Sequence, residues 1–249
     1  MKARTRKKKP LPRFLILLFF LLLLIGGGYY ILSLPIWKIK DVVVNGANML
    51  SAQEIKDLSS VPLQENLFLA SFARARENLR KIAAIREFHL YRIPPATVLI
   101  RIFERKPIAV VILEDRSAIV DEEGFILNRN PNLTLNVQNM TELPVISGIG
   151  TLEVTGDERI NPHLSRLIAD IIVELSTLLG SRHLKLEIGG FEKIGFMLDD
   201  LLYVKIGRDD DVKRKMEVFK ALLPVIEGKW SQVEYVDVRY PDTPVVKYK

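Results

Sequence analysis

Residues 91–112 read YRIPPATVLIRIFERKPIAVVI, and this stretch divides the chain into domains. Apolar side chains alternate with others in its middle, which is typical of a strand with one buried face. Proline fixes φ and cannot donate to a β ladder, so Pro94-Pro95 ends one strand and sets the turn into the next. Pro107 marks the end of a small domain, and the apolar run from Ile108 begins another unit.

The residues before Pro107 predict a small domain that spans residues 37–106. Ser51 and Glu54 form a capping-box pattern, which starts a helix. A second helix is indicated by an apolar stripe at helical spacing, formed by Phe72, Ala75, Leu79 and Ile82. The predicted elements are a strand at 39–44, helices from 51 to about 59 and after 68, and strands at 87–91 and 97–104. Their order is β-α-α-β-β.

The residues after Pro107 predict a β-rich domain with two helices at 107–240, so the fold class is α+β. A turn is expected at 120–125 and a polar loop without periodicity at 128–142. An apolar run at 108–113 begins the domain, and the other predicted elements are a helix from Asn161-Pro162 to Gly180, strands at 184–188, 194–198 and 202–206, a helix at 212–226, and a last strand at 233–240. Residues 241–249 are predicted to form a short C-terminal tail.

An uncharged apolar run at 14–34 predicts a transmembrane helix, because 21 residues of helix span about 30 Å. The alternative is a cleaved signal peptide, whose apolar region is shorter and precedes a small-residue cleavage site. This run is longer and ends in Tyr29-Tyr30, as an interfacial aromatic belt does. We therefore expect an uncleaved anchor. The sequence does not explain the role of Gly26-Gly27-Gly28 within it.

The net charge of +6 comes from the first 13 residues, which hold seven of the 36 basic residues and no acidic one. The remaining 29 basic residues face 30 acidic ones, so a nucleic-acid-binding surface is not expected. Basic flanks of a span stay in the cytoplasm. The topology-setting residues are Lys7, Lys8, Lys9 and Arg13, and they place residues 1–13 inside the cell and the bulk of the chain outside the cytoplasm.

Residues for catalysis or metal binding are sparse. The chain has no cysteine, and its three histidines, His89, His163 and His183, lack the spacing of a zinc site. The acidic pairs Glu122-Glu123 and Asp199-Asp200 lie in predicted turns, where solvated carboxylates are common. Lys213-Arg214-Lys215 is predicted to be the solvated face of a helix. We expect no enzymatic activity, cofactor, metal or small-molecule substrate.

The order of these segments resembles the FtsQ/DivIB family of bacterial cell-division proteins. Six segments carry the resemblance, in the family's order behind the membrane anchor: VNG at 44–46, RIPPATV at 92–98, ERKPIA at 104–109, VDEEG at 120–124, LPVISG at 143–148 and YVDVRY at 235–240. The chain departs from the family in its second proline at Pro95 and in having no long segment after the last predicted strand.

The resemblance implies a non-enzymatic scaffold of the divisome, with one span in the inner membrane, enriched at the septum. It implies a POTRA domain at 37–106 that assists recruitment, with Tyr91, Arg92 and Pro95 as the candidate residues. It also implies that FtsB and FtsL homologues are partners and that FtsB adds a strand to the end of the β domain. By position, the partner-binding residues would be Tyr235, Val236, Asp237, Val238, Arg239 and Tyr240.

The residues themselves leave two interpretations of 235–240 open. Val236, Val238 and Tyr240 share one face of the predicted strand, and an edge with free amides is a template for an incoming strand. The other interpretation is a core strand whose edge is covered by neighbours. An alternative function is a POTRA-containing strand-binding chaperone of an export or outer-membrane assembly system, which is expected to continue into a long barrel or to repeat the POTRA unit.

Overall fold

The computed structural model describes residues 13–249 except 115, 132, 139, 151–153, 157–158 and 180–182. Helix α1 spans Arg13–Leu32 and carries no charge after Arg13, so by length and composition it can cross a membrane. It ends two residues before the predicted limit at 34. Leu34 precedes Pro35, which disfavours the helical region, and its backbone is extended (φ −62°, ψ 143°).

A small domain follows α1 and confirms the predicted β-α-α-β-β order. Its elements are β1 (Asp41–Asn45), α2 (Ala52–Ser59), α3 (Ala73–Arg80), β2 (Ile85–Ile93) and β3 (Thr97–Glu104). The sheet order is β1-β3-β2, with β3 parallel to β1 and antiparallel to β2. The chain turns between β2 and β3 at Pro94-Pro95, whose peptide bond is cis.

The core of the small domain follows the predicted periodicities. Ser51 caps α2, because its hydroxyl oxygen accepts the backbone N–H of Glu54 (3.4 Å). The stripe predicted for the second helix is buried, and so are alternate residues of β3: Phe72, Ala75, Leu79, Ile82, Val98, Ile100 and Ile102. The two helices therefore cover one face of the three-stranded sheet, while alternate β3 side chains point to the other face.

The second domain contains an eight-stranded mixed sheet with the order β13-β12-β11-β10-β9-β6-β4-β5. These strands are β4 (Pro107–Ile112), β5 (Ser117–Asp121), β6 (Val145–Ser147), β9 (Leu184–Ile188), β10 (Ile194–Leu198), β11 (Leu202–Gly207), β12 (Val233–Asp237) and β13 (Val245–Tyr248). A separate short pair consists of β7 (Val154–Thr155) and β8 (Arg159–Ile160). The fold is α+β, as expected.

Helices α4 (Pro162–Leu179) and α5 (Val212–Ile226) pack against the large sheet. One side of α4 is buried and includes Leu164, Ile168, Ile171 and Leu175, and β9 alternates buried and exposed residues as a sheet with one covered face does. Phe219 of α5 contacts Phe196 of β10 edge to face, with ring centroids 5.3 Å apart. Gly180, the predicted stop of α4, lies outside the described residues.

The two domains share apolar and polar contacts. Ile119 and Leu127 belong to the second domain, yet they are buried in the core of the first. Arg105 follows β3 and binds Asp121 (2.7 Å) and Glu123 (3.2 Å), and its guanidinium lies 3.7 Å from the centre of the Phe125 ring. The Arg105 guanidinium is largely buried and has several partners in the second domain, so it fixes the orientation of the second domain relative to the first.

The segment predicted as a polar loop at 128–142 contributes to this junction. Leu133, Leu135 and Val137 are partly buried against the core of the small domain, and Asn136 donates its backbone N–H to Met49 O (2.8 Å). The prediction was wrong in calling the segment aperiodic, because these three apolar residues alternate. The many asparagines around them hide the pattern.

Candidate partner-binding edge

Strand β13 is the outer strand at one end of the large sheet. It pairs antiparallel with β12, with Val236 opposite Val246 and Asp237 opposite Val245. On its other side, β12 pairs in parallel with β11, with Val204 opposite Val236. Strand β12 is therefore enclosed on both sides, and β13 forms the edge.

This arrangement corrects two predictions. The strand predicted at 233–240 ends at Asp237, and the edge formed by Tyr235, Val236 and Asp237 is covered by β13, so a partner strand cannot pair there. Residues 241–249, predicted as a tail, contain β13. The chain reverses after Asp237 and returns along β12, and only this nonlocal pairing decides which strand is outermost.

The sequence carries a signal for β13 that the prediction missed. PDTP at 241–244 is typical of a turn, and it is followed by the β-prone run VVKY at 245–248. The run is short and includes a lysine, which is common on an edge strand. Residues 245–248 were predicted to belong to the C-terminal tail because a strand of only four residues gives a weak pattern.

Backbone groups of β13 point away from the sheet at two positions. Lys249 donates its backbone N–H to Gln232 O (2.9 Å), so the backbone groups of residue 249 face β12. Since the direction of these groups alternates along a strand, those of Lys247 and Val245 also face β12. The N–H and C=O groups of Val246 and Tyr248 face outward and can pair with a further strand.

Side chains of β13 combine anchoring and exposed groups. Val246 packs against the core of the domain, whereas Tyr248 is 47% exposed. Lys247 binds Glu234 (2.8 Å), and this hydrogen bond raises the pKa of Lys247 above its usual range. The ammonium groups of Lys205 and Lys247 lie 3.5 and 5.5 Å from the centre of the Tyr235 ring, so this ring joins β11, β12 and β13 on the open face of the sheet.

The turn before β13 is held by Asp237 and Arg239. Three guanidinium–carboxylate hydrogen bonds join them, two from Nε of Arg239 (both 3.0 Å) and one from Nη2 (2.7 Å), and Asp237 also accepts the backbone N–H of Arg239 (3.1 Å). Burial opposes ionisation of Asp237, but the bonds from Arg239 and the charge of Lys205 outweigh it and lower the pKa of Asp237. Arg239 packs on Gly207, where an added Cβ would lie 2.8 Å from the Arg239 side chain.

The other residues predicted for the partner site differ in exposure. Val236 and Val238 share one face, as predicted, and both are fully buried; Val238 donates its N–H to Lys205 O (3.0 Å). Tyr240 does not share their face, since it is 69% exposed and its carbonyl accepts the N–H of Thr243 in the turn (3.0 Å). The prediction that Tyr240 shares the face of Val236 and Val238 was wrong because the strand ends three residues earlier.

The opposite edge of the sheet, β5, is covered by side-chain and loop contacts. Asn128 accepts the N–H of Ile119 (3.0 Å) and donates to Ser117 O (3.0 Å). Asp121 donates its N–H to Phe125 O (3.2 Å). These bonds use backbone groups on the outer side of β5, so those groups are not available to pair with an incoming strand.

The three residues predicted for recruitment lie together near the end of β2, but they have different environments. Tyr91 and Pro95 are exposed. Arg92 donates to the carbonyls of Leu67 (2.6 Å) and Ala70 (3.0 Å) and lies 4.6 Å from the centre of the Phe72 ring. Its guanidinium therefore stabilises the loop before α3. Of the predicted topology residues, Lys7, Lys8 and Lys9 lie outside the described residues, and Arg13 begins α1.

The remaining polar residues form structural contacts. His89 lies 3.0 Å from Glu87 and His163 lies 3.1 Å from Asp209, both on the surface. Among the residues that the structure describes, no group of three potential ligands is positioned to hold a metal. Lys215, predicted to be solvated, is 3% exposed, because its ammonium binds Arg208 O (2.9 Å) and Asp210 (2.6 Å) at the start of α5.

Family profiles match both domains. Residues 37–105 match "POTRA domain, FtsQ-type", and residues 109–239 match "Cell division protein FtsQ/DivIB, C-terminal". The second match covers more than half of the chain.

Three similar proteins illustrate the range of relatives. A cell division protein FtsQ from Rickettsia felis is 30% identical over 94 residues, 38% of this chain and 35% of the relative. An FtsQ from Streptomyces bingchenggensis is 24% identical over 218 residues, 85% of this chain and 76% of the relative. The cell division protein DivIB of Clostridium tetani is 23% identical over 220 residues, 86% of this chain and 81% of the relative. The chain thus spans about a third (35%) of the length of the rickettsial relatives that it matches.

Proposed function

We propose, since this chain belongs to the FtsQ/DivIB family of cell division proteins, that it is a non-enzymatic scaffold of the divisome held in the membrane by α1. In this proposal the basic tail stays in the cytoplasm and residues 33–249 lie on the other side of the membrane, at the division septum. The charge asymmetry around the span supports this orientation.

The scaffold binds its main partner through β13. The outward N–H and C=O groups of Val246 and Tyr248 accept an extended segment of an FtsB homologue, and an FtsL homologue joins the same complex. One observation carries this proposal: β13 is an open edge, whereas β5 at the other end of the sheet is covered. Main-chain pairing gives such a site affinity, and alternate side chains give it specificity.

The small domain contributes recruitment to the septum. Tyr91 and Pro95 are exposed at one end of β2 and are the proposed contact residues. Arg92 acts indirectly in this proposal, because its guanidinium supports the loop at 67–70. The match of residues 109–239 to a cell-division C-terminal domain favours a division scaffold over a strand-handling chaperone of an export system.

Hydrogen exchange of the full chain in nanodiscs tests the proposed edge. The chain is mixed with the membrane-anchored FtsB homologue of the same organism, and backbone exchange is followed by mass spectrometry. We expect exchange of the Val246 and Tyr248 amides to slow by about tenfold or more, because these outward amides become hydrogen-bonded. Exchange at 117–121 in β5 serves as the internal control and stays unchanged.

Two results would contradict the proposed edge. Binding without protection at 246–248 would place the partner elsewhere on the chain. Absence of binding by the intact, folded protein would remove the FtsB homologue as the partner.

A further inference from the structure

Four exposed apolar side chains lie in the two segments whose Trp37 and Asn66 bind the end of α1. They form the juxtamembrane patch: Ile36, Leu63, Phe68 and Leu69, which are between 39% and 62% exposed. Ile36 belongs to the connection after α1, and the other three belong to the loop between α2 and α3. Isolated exposed apolar residues are common, but a cluster on a rigid surface marks a contact site.

Side chains of the small domain hold this loop against the last turn of α1. Trp37 donates its indole N–H to Ile31 O (2.7 Å), and Asn66 donates its amide to Leu32 O. The last carbonyls of a helix have no partner within the helix, and these two bonds supply partners for them. The loop that carries Leu63, Phe68 and Leu69 is therefore fixed at the point where α1 ends.

The position of this point relative to the bilayer follows from α1. Tyr29 and Tyr30 are both exposed, and paired aromatic residues near the end of a span lie at the membrane–water interface. Leu32 is two or three residues further on, or about 3 to 5 Å along the helix axis. The headgroup layer on each side of the hydrocarbon core is about 5 to 8 Å thick, so the carbonyls bound by Trp37 and Asn66 lie within it.

The loop is built rigidly, so its apolar residues are presented in a fixed arrangement. Asn66 accepts the N–H groups of Phe68 (2.9 Å) and Leu69 (3.2 Å) through its side-chain oxygen. The Phe68 ring packs edge to face on Trp37, with centroids 5.2 Å apart. Arg92 holds the far side of the loop through Leu67 O. A rigid apolar tip loses little conformational entropy when it is buried.

We propose that the juxtamembrane patch inserts into the interfacial layer of the bilayer that α1 crosses, so that the small domain rests on the membrane. The occupant of the patch is lipid, because the two bonds to α1 place the patch at headgroup depth. Lys38, which lies opposite Asn66 in a β bridge and is exposed, adds a cation suited to anionic headgroups. The docking sets the orientation of the small domain independently of any partner on β13.

Single-cysteine labelling of the full chain in nanodiscs tests this proposal, and the chain has no cysteine of its own. The nanodiscs contain phosphatidylcholine and phosphatidylglycerol, and no other protein is added. An environment-sensitive fluorophore is attached to Leu69→Cys and, separately, to Leu63→Cys, so that the test does not depend on one variant. Leu201→Cys is the matched control, because Leu201 has a similar exposure (53%) in the second domain.

We expect iodide to quench the labels at 69 and 63 about threefold less than the label at 201, because the first two lie among lipid headgroups. Nitroxide-labelled lipids should show the opposite order. Equal iodide quenching at all three positions, with circular dichroism of a folded chain, would overturn the proposal. Protection of 69 and 63 that arises only after a division protein is added would also overturn it, since the occupant would then be that protein.

Discussion

The large sheet ends in β5 on one side and in β13 on the other, and the outer backbone groups of these two edges have different partners. On β5, Asn128 binds Ser117 O and the N–H of Ile119. On β13, the outward groups of Val246 and Tyr248 face away from β12, with which β13 pairs. Natural sheets cover edges that must not extend. The large sheet thus has one edge, β5, whose outer backbone groups are used within the chain, and one edge, β13, whose outer groups at Val246 and Tyr248 face outward.

The largest expected effect comes from proline on the open edge. Val246→Pro removes an outward N–H without removing a bond to β12, so it should lower affinity for the FtsB homologue by more than about tenfold, about 1.4 kcal/mol. Val246→Thr keeps the amide and the β-branched shape and is the matched control. Affinity is measured by calorimetry on the full chain in nanodiscs. Wild-type affinity in the proline variant would show that pairing does not occur at β13.

The second prediction concerns the hydrogen bonds by which Asn128 covers the outer side of β5. Asn128→Ala deletes two hydrogen bonds and should lower the free energy of unfolding by about 1 to 2 kcal/mol. Asn128→Asp keeps the acceptor for Ile119 but sets a carboxylate oxygen against Ser117 O, so it should destabilise the chain at least as much as Asn128→Ala. The free energy of unfolding of each variant is measured by urea unfolding. Unchanged stability in Asn128→Ala, with unchanged hydrogen exchange at Ile119, would show that β5 is protected by other means.

The third prediction tests whether the partner contacts β13 or the turn that precedes it. Tyr248→Ala should weaken partner binding by about threefold, because cross-strand side-chain pairs contribute up to about 1 kcal/mol. Tyr240→Ala is the matched control: Tyr240 is also exposed but lies in the turn, so binding should change by less than about twofold. Greater sensitivity at Tyr240 than at Tyr248 would return the site to 235–240.

The smallest expected effect concerns pH and the ion pair that shapes this turn. The pKa of Asp237 is lowered in the folded chain, so its contribution to stability is complete above its unfolded value of about 3.9 and is lost as pH falls through the folded value. Asp237→Asn should lower stability at pH 7 by about 0.5 kcal/mol. It should also lose less stability than the wild type between pH 5 and the acid limit, as measured by urea unfolding at each pH. Parallel pH profiles for the two proteins would contradict this.

Local sequence patterns predicted most elements because each pattern reports a short-range preference. The capping residue Ser51 located α2, and the run of alternating residues from Val98 located β3. The strands at 184–188 and 194–198 and the helix at 212–226 have the predicted limits. In each case, burial of one face selects the residue types, so the pattern is readable without knowledge of the neighbours.

The candidate site was predicted less well than the fold, for a different reason. Val236 and Val238 were assigned correctly to one shared face, but the pattern of a strand does not tell which strands lie on its two sides. Strand β13 is short, and its pairing with β12 is decided by the turn at 238–244. The contact of Asn128 with β5 and the packing of Leu133 on the small domain are also nonlocal.

By itself, the sequence determined the membrane span, the β-α-α-β-β domain, the β-rich second domain with two helices and the resemblance to the division family. Each of these depends on composition, on periodicity or on an ordered set of short segments. Tertiary structure alone decided that β13 is the open edge, that Asn128 covers β5, and that Asn66 and Trp37 bind the end of α1. These features join residues far apart in the chain. Every backbone N–H and C=O group can form a hydrogen bond whatever the sequence, so its partner is decided only when distant segments come together in the fold.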